Sequence, residues 1–183
     1  MSYLLLACRI MLVGVFAVSL VSKVRSRAAY ADFGRSVVEW RVVPRRWSAR
    51  VVAGVVAGEA GVVLLLALPW TVLVGFVAGG LLLTAFTGAI AMTLRRGPSV
   101  TCRCFGAAKT RLGTAHVVRN LLLVAVCVTG TVAATMTAGL PSNAPGLGLT
   151  LTAAVVGVVF MVHLDDIAAL RELWARPTVE GRK

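Results

Sequence analysis

Five stretches of this chain are long, apolar and almost free of charge, and they restrict its fold more than anything else in it. They run from Tyr3 to Val21, Val51 to Leu68, Thr71 to Leu94, Val117 to Ala138 and Leu147 to Leu164. Each approaches the ~20 residues that a helix needs to cross ~30 Å of hydrocarbon. None alternates polar and apolar residues as a spanning strand would. The need to satisfy every backbone N–H and C=O inside the bilayer therefore leaves the helix as the solution. Only 14% of the 183 residues are charged and 58% are hydrophobic, against roughly 25% charge in a soluble domain. The predicted class is all-α, a polytopic membrane helical bundle.

Punctuation and charge order the spans. Pro69-Trp70 marks a tight turn between the second and third, because Pro disfavours helix in its predecessor and Trp suits the membrane interface. "GLPSNAPG" makes the break between the fourth and fifth. The basic residues lie mainly between Lys23 and Arg50, between Arg95 and Arg111, and in the tail from Arg171 to Lys183. The second and fourth loops carry none. By the positive-inside rule this puts the N-terminus outside and the C-terminus in the cytoplasm. The same distribution accounts for the net charge of +12 without nucleic acid, so the bilayer is the expected partner and nucleic acid is not. The first span has no basic stretch before it, its first charge is the embedded Arg9, and a basic cluster follows it. It reads as a retained helix, not a cleaved leader.

Within the first loop, Tyr30, Phe33, Val37 and Trp40 recur near helical spacing. This predicts a short amphipathic helix on the membrane surface, ended by Pro44. Two ionisable residues, Arg9 and Glu59, fall inside spans. Charges at such depth face the bundle interior and pair. With the first two spans antiparallel, Arg9 and Glu59 come within ~7 Å of the same depth at 1.5 Å per residue. The expectation is an ion pair that fixes helix register.

Among four cysteines, Cys8 and Cys127 lie in spans and read as packing residues. A relay of electrons through them is also imaginable. Cys102 and Cys104 are different, since "TCRCFG" sits in a basic hydrophilic loop. Arg103 between them, with Lys109 and Arg111 nearby, favours thiolate. A disulfide between neighbours two apart closes a very small ring, and strained exposed disulfides exchange readily. Gly106 permits unusual dihedrals just after the pair. Half a zinc site is a weaker alternative because only His116 is near and four ligands are wanted, so no metal is expected. A lipidation site or an incidental pair stays open on the residues alone. His116, which titrates near neutrality, could take a proton from a thiol. Arg119 is expected to snorkel to lipid phosphate, and Asn120 to hydrogen-bond across helices or hold the thiol loop.

Taken together, Cys102, Cys104, Phe105 and Gly106 after a third span, Arg119-Asn120 opening the fourth, Lys23 closing the first helix and Glu59 within the second resemble the MauE family. These are bacterial inner-membrane proteins of the methylamine-utilisation type, related to the DoxX-like membrane proteins. The resemblance covers roughly Tyr3 to Thr137. It departs at Arg103, where the family usually has Gly. It implies four core DoxX-like helices in residues 1–138, with 139–166 an additional transmembrane helix and 167–183 a cytoplasmic tail. It further implies a thiol–disulfide helper in the maturation of exported enzymes, with an extracytoplasmic thioredoxin-like partner. In the methylamine system the client that the resemblance implies is the small, disulfide-rich subunit of methylamine dehydrogenase. Disulfide work on exported proteins belongs outside, whereas the charge rule places the thiol loop inside. Two rivals stand beside this reading. One is a DoxX-like scaffold with incidental cysteines. The other is a quinone-linked disulfide oxidase resembling DsbB and vitamin K epoxide reductase, for which quinone would be the cofactor; no other cofactor is evident.

Overall fold

The structure is a computed structural model that describes residues 2–40, 43–95, 101, 102, 110, 111, 114–136 and 144–174. Cys104, Phe105 and Gly106 of the predicted thiol site lie outside the described residues, as do Arg103 and Lys109. Five helices are long and apolar enough to span a bilayer, as the hydropathy requires. They are α1 (Ser2–Val24), α3 (Ser48–Ala67), α4 (Val72–Arg95), α5 (Thr114–Met136) and α6 (Ala144–Trp174). At 1.5 Å per residue, the 23 residues of α1 extend ~35 Å, enough for the hydrocarbon and part of the headgroup layer.

The apolar stripes of α1, α3, α4 and α5 meet in one core. Leu12 and Phe16 of α1 pack with Val62 and Leu66 of α3, Phe76 and Leu83 of α4, and Leu123 of α5. Between helices already surrounded by lipid, close van der Waals packing drives association more than transfer from water does. The fifth span, α6, lies mainly along α1 and runs parallel to it. Gly14 of α1 faces Val158, and Gly146 and Gly157 of α6 face Tyr3 and Met11. Four core helices plus a flanking fifth is the predicted architecture. The helix of α6 continues to Trp174, so the span and the first part of the tail are one element.

The predicted surface helix is present as α2 (Arg27–Glu39). Ser26 caps it, its Oγ accepting the Ala29 N–H at 3.0 Å. Phe33, Val37 and Trp40 are buried against the bundle while Tyr30 is exposed. The helix ends at Glu39 with Trp40 as its cap, ahead of Pro44. A single 3-10 turn, Arg45–Trp47, then leads into α3.

The α3–α4 turn shows how exposed carbonyls are satisfied in an apolar setting. The last carbonyls of a helix have no partner within it. Here the Thr71 hydroxyl donates to the Leu65 carbonyl at 2.7 Å. Arg9 donates from Nε to the Leu66 carbonyl at 2.5 Å and from an Nη nitrogen to the Ala67 carbonyl at 2.7 Å. A guanidinium also complements the negative end of the helix dipole. Arg9→Met is therefore expected to destabilise the bundle by about 1.5–3 kcal/mol, the range for hydrogen bonds to a charged group. Arg9→Lys should restore part of that, and thermal unfolding in detergent micelles would measure both.

Candidate functional site

At the opposite end of the core, polar side chains of three helices converge. The face of α1 that carries Cys8, Leu12, Phe16 and Ser19 ends in Lys23, one turn beyond Ser19, and all five are buried. Glu59 of α3 is buried with them. Lys23 Nζ lies 2.8 and 3.1 Å from the two Glu59 carboxylate oxygens and 2.5 Å from Ser19 Oγ. The Ser19 hydroxyl donates to Glu59 Oε1 at 2.8 Å. Both side chains of the pair are about 2–3% exposed. The Phe33 ring of α2 lies 5.2 Å from Lys23 Nζ, within cation–π range.

The predicted Arg9–Glu59 pair is thus not what the structure contains. Arg9 meets α3 at Leu66 and Ala67, seven or more residues beyond Glu59, or about 10 Å along the axis. Glu59 is held by Lys23 instead. The cause is register. Helix α1 runs to Val24 and α3 begins at Ser48, each beyond the limit set by hydropathy. Lys23 therefore belongs to the bundle, not to the basic loop. A buried carboxylate takes the cation nearest its own depth.

Helix α5 completes the cluster with buried Arg119 and Asn120; His116 of α5 and Thr93 of α4 are buried as well. Arg119 is 1% exposed and does not snorkel to the lipid surface. With Asn120 it lines a cavity of about 20 Å³ shared with Ser19, Lys23 and Glu59, space for about one water molecule. Asn120 thereby faces α1 and α3, as a cross-helix role requires. His116, one turn earlier on α5, is two residues past the start of that helix at Thr114. Sequence reasoning found Glu59, His116, Arg119 and Asn120, but assigned Lys23 only a helix-closing place. The Ser19/Lys23 spacing of four, in line with Cys8 and Leu12 on one helical face, is the signal that marks Lys23 as inward.

The thiol loop is rooted at this same end. It leaves α4 after Arg95, next to Thr93, and enters α5 at Thr114, two residues before His116. A short antiparallel ladder pairs Thr101 with Arg111 and Cys102 with Thr110. Its second strand contacts α6. Cys102 is thus the last residue of the first strand of that ladder. Cys8 and Cys127 are buried free thiols of the central core, as expected for packing residues. Among the described residues no His, Cys, Asp and Glu cluster could hold a metal ion.

A multi-pass helical membrane protein with a buried Lys–Glu–Ser network is the class that fold and site define. The family follows from comparison. The model for "Methylamine utilisation protein MauE" matches residues 1–133, which takes in α1 to α4, the ladder and nearly all of α5. The chain belongs to the MauE family. No curated protein and no solved structure matches it.

Proposed function

We propose that the protein is a thiol–disulfide helper of a bacterial inner membrane, working through Cys102 and Cys104 during the maturation of exported enzymes. A client of the methylamine dehydrogenase small-subunit kind suits a member of this family. In such exchange a thiolate of the pair attacks a partner disulfide. One S–S bond breaks as a mixed disulfide forms, and the second cysteine then resolves it, so electrons are conserved between the two proteins. The observation that carries the reading is the ladder. It pairs Cys102 with Thr110, and the loop that carries both cysteines enters α5 at Thr114, shortly before buried His116, Arg119 and Asn120. Arg103 between the two cysteines, with Lys109 and Arg111 nearby in sequence, favours the thiolate. The chain's own helices leave the thioredoxin-like role to a separate protein, proposed here as an extracytoplasmic partner.

The test is trapping in cells. Cys104→Ser should accumulate a mixed disulfide through Cys102, visible as a reducible higher-mass band. Cys102→Ser/Cys104→Ser should abolish both the band and client maturation. Full client maturation in the double variant would leave the DoxX-like scaffold as the better reading. Quinone-dependent thiol oxidation by the purified protein alone would favour the quinone-linked oxidase. Labelling intact cells with a membrane-impermeant thiol reagent decides the side. Reaction at Cys102 and Cys104 places the loop outside, against the charge rule, while protection places it in the cytoplasm.

A further inference from the structure

A second cavity, of about 150 Å³, lies between the surface helix and the bundle. Its walls are apolar: Phe33 and Val37 from α2, Val51 and Val55 from α3, and Leu82 and Phe86 from α4. The polar cavity that holds Ser19, Lys23, Glu59, Arg119 and Asn120 adjoins it, because Phe86 lines both. Phe33, a wall of the apolar cavity, also covers the Lys23 ammonium at 5.2 Å. Two aromatic rings, one from α2 and one from α4, thus have an apolar space on one side and a buried ion pair on the other.

These rings are held differently from those of the main core. Phe16 and Phe76 belong to the cluster that joins α1, α3, α4 and α5, in which no described residue of α2 takes part. Phe33 packs in a separate small cluster with Val37 and Val52, and Phe86 packs beside another formed by Trp40 and Ile90. Segments with few buried apolar contacts open locally at lower free energy than the core does. Phe86 is also only half-buried. The apolar cavity gives both rings room to turn to another rotamer, away from the ion pair.

We infer that Phe33 and Phe86 form a gate to the buried Lys23–Glu59 pair, which opens as the rings turn into the apolar cavity and α2 lifts with Phe33. The gate admits water and not a large ligand, because the polar cavity, at about 20 Å³, has room for about one such molecule. Its effect falls on the link between α1 and α3. An ion pair attracts far more strongly in a low-dielectric interior than in water. Water at the gate therefore loosens the hold of Lys23 on Glu59, and closure of the rings restores it. The seating of the surface helix thereby sets how firmly the two spans are joined.

Thiol accessibility tests this. Ser19 is buried and lines the polar cavity, and Ser19→Cys puts a thiol of nearly the same size there. The full-length variant, purified in detergent micelles, is treated with methyl methanethiosulfonate, a small uncharged reagent. Mass spectrometry of the peptide that contains position 19 gives the labelling rate. Cys127, buried in the main core, is read in the same sample as the reference. Phe86→Ala should raise the rate at position 19 several-fold and leave that at Cys127 unchanged. Leu83→Ala, which enlarges the polar cavity from a residue that does not line the apolar one, should raise it far less. Ala85→Phe, which fills the apolar cavity, should return the Phe86→Ala protein towards the parent rate. An unchanged rate in Phe86→Ala overturns the inference. So does equal acceleration by Leu83→Ala, or acceleration shared with Cys127, since either means general loosening of the bundle. Acceleration that Ala85→Phe leaves intact overturns it too, because the reagent then enters by another route.

Discussion

Lys23→Met is expected to destabilise the protein by about 3–5 kcal/mol, and Glu59→Leu by a similar amount, because each leaves the other charge buried without its counter-ion. The double variant Lys23→Met/Glu59→Leu should recover most of that loss, or exceed the parent in stability. Apolar side chains of similar volume restore packing with no desolvation left to offset. Ser19, which bonds both partners, can turn its hydroxyl to a carbonyl one turn back on α1, as helical serines do. Chemical unfolding in detergent micelles gives the three values, and the cycle gives the coupling. Equal destabilisation in the double variant would show that the pair is not what holds α1 to α3. The same proteins separate structure from chemistry. If the double variant folds well yet fails to support thiol exchange at Cys102 and Cys104, the ion pair has a part in function beyond holding the helices together.

That pair also marks the boundary of what could be read from the sequence. The spans were legible because membrane helices are specified by length and apolarity, both local properties. The α3–α4 turn was legible from Pro69-Trp70, and the surface helix from the spacing of Phe33, Val37 and Trp40. What a single chain does not display is the register of one helix against another. Hydropathy ended the first span at Val21, and α1 in fact runs to Val24. Those three residues, nearly one turn, bring Lys23 inside and make it the partner of Glu59. Arg9 is then carried past Glu59 to the carbonyl end of α3, where the need for donors comes from helix termination and not from any acidic residue. Arg119 was misread for a related reason. Its position at the start of α5 suggested lipid contact, but residues 116, 119, 120, 123 and 127 share one face, which turns to the core. The sequence placed the polar site on the correct helices and missed which side chains meet.

Gly130→Ala is expected to be the most damaging single-methyl addition in the bundle. A Cβ at that position would lie 2.2 Å from Cε1 of Phe76, with two further ring carbons at 2.5 and 2.6 Å. Those distances are well inside van der Waals contact, and Phe76 is fully buried, so the ring has little room to withdraw. Overpacking of this kind typically costs about 1–3 kcal/mol. It falls between α4 and α5, where small residues allow backbones to approach. Phe76→Leu alone should also destabilise, through the cavity that the smaller side chain leaves. Combined with Gly130→Ala it should cost less than the sum of the two, because each change makes room for the other. Additive losses would mean that this contact does not set the α4–α5 spacing. Thermal unfolding of the four proteins reads the coupling. Phe76 lies near the start of α4 and Gly130 near the end of α5, remote from Arg95 and Thr114, where the thiol loop is attached. The proposed thiol exchange, per folded molecule, should therefore be unchanged in Gly130→Ala even as the folded fraction falls. A parallel loss of exchange would show instead that the loop depends on how closely these two helices pack along their whole length.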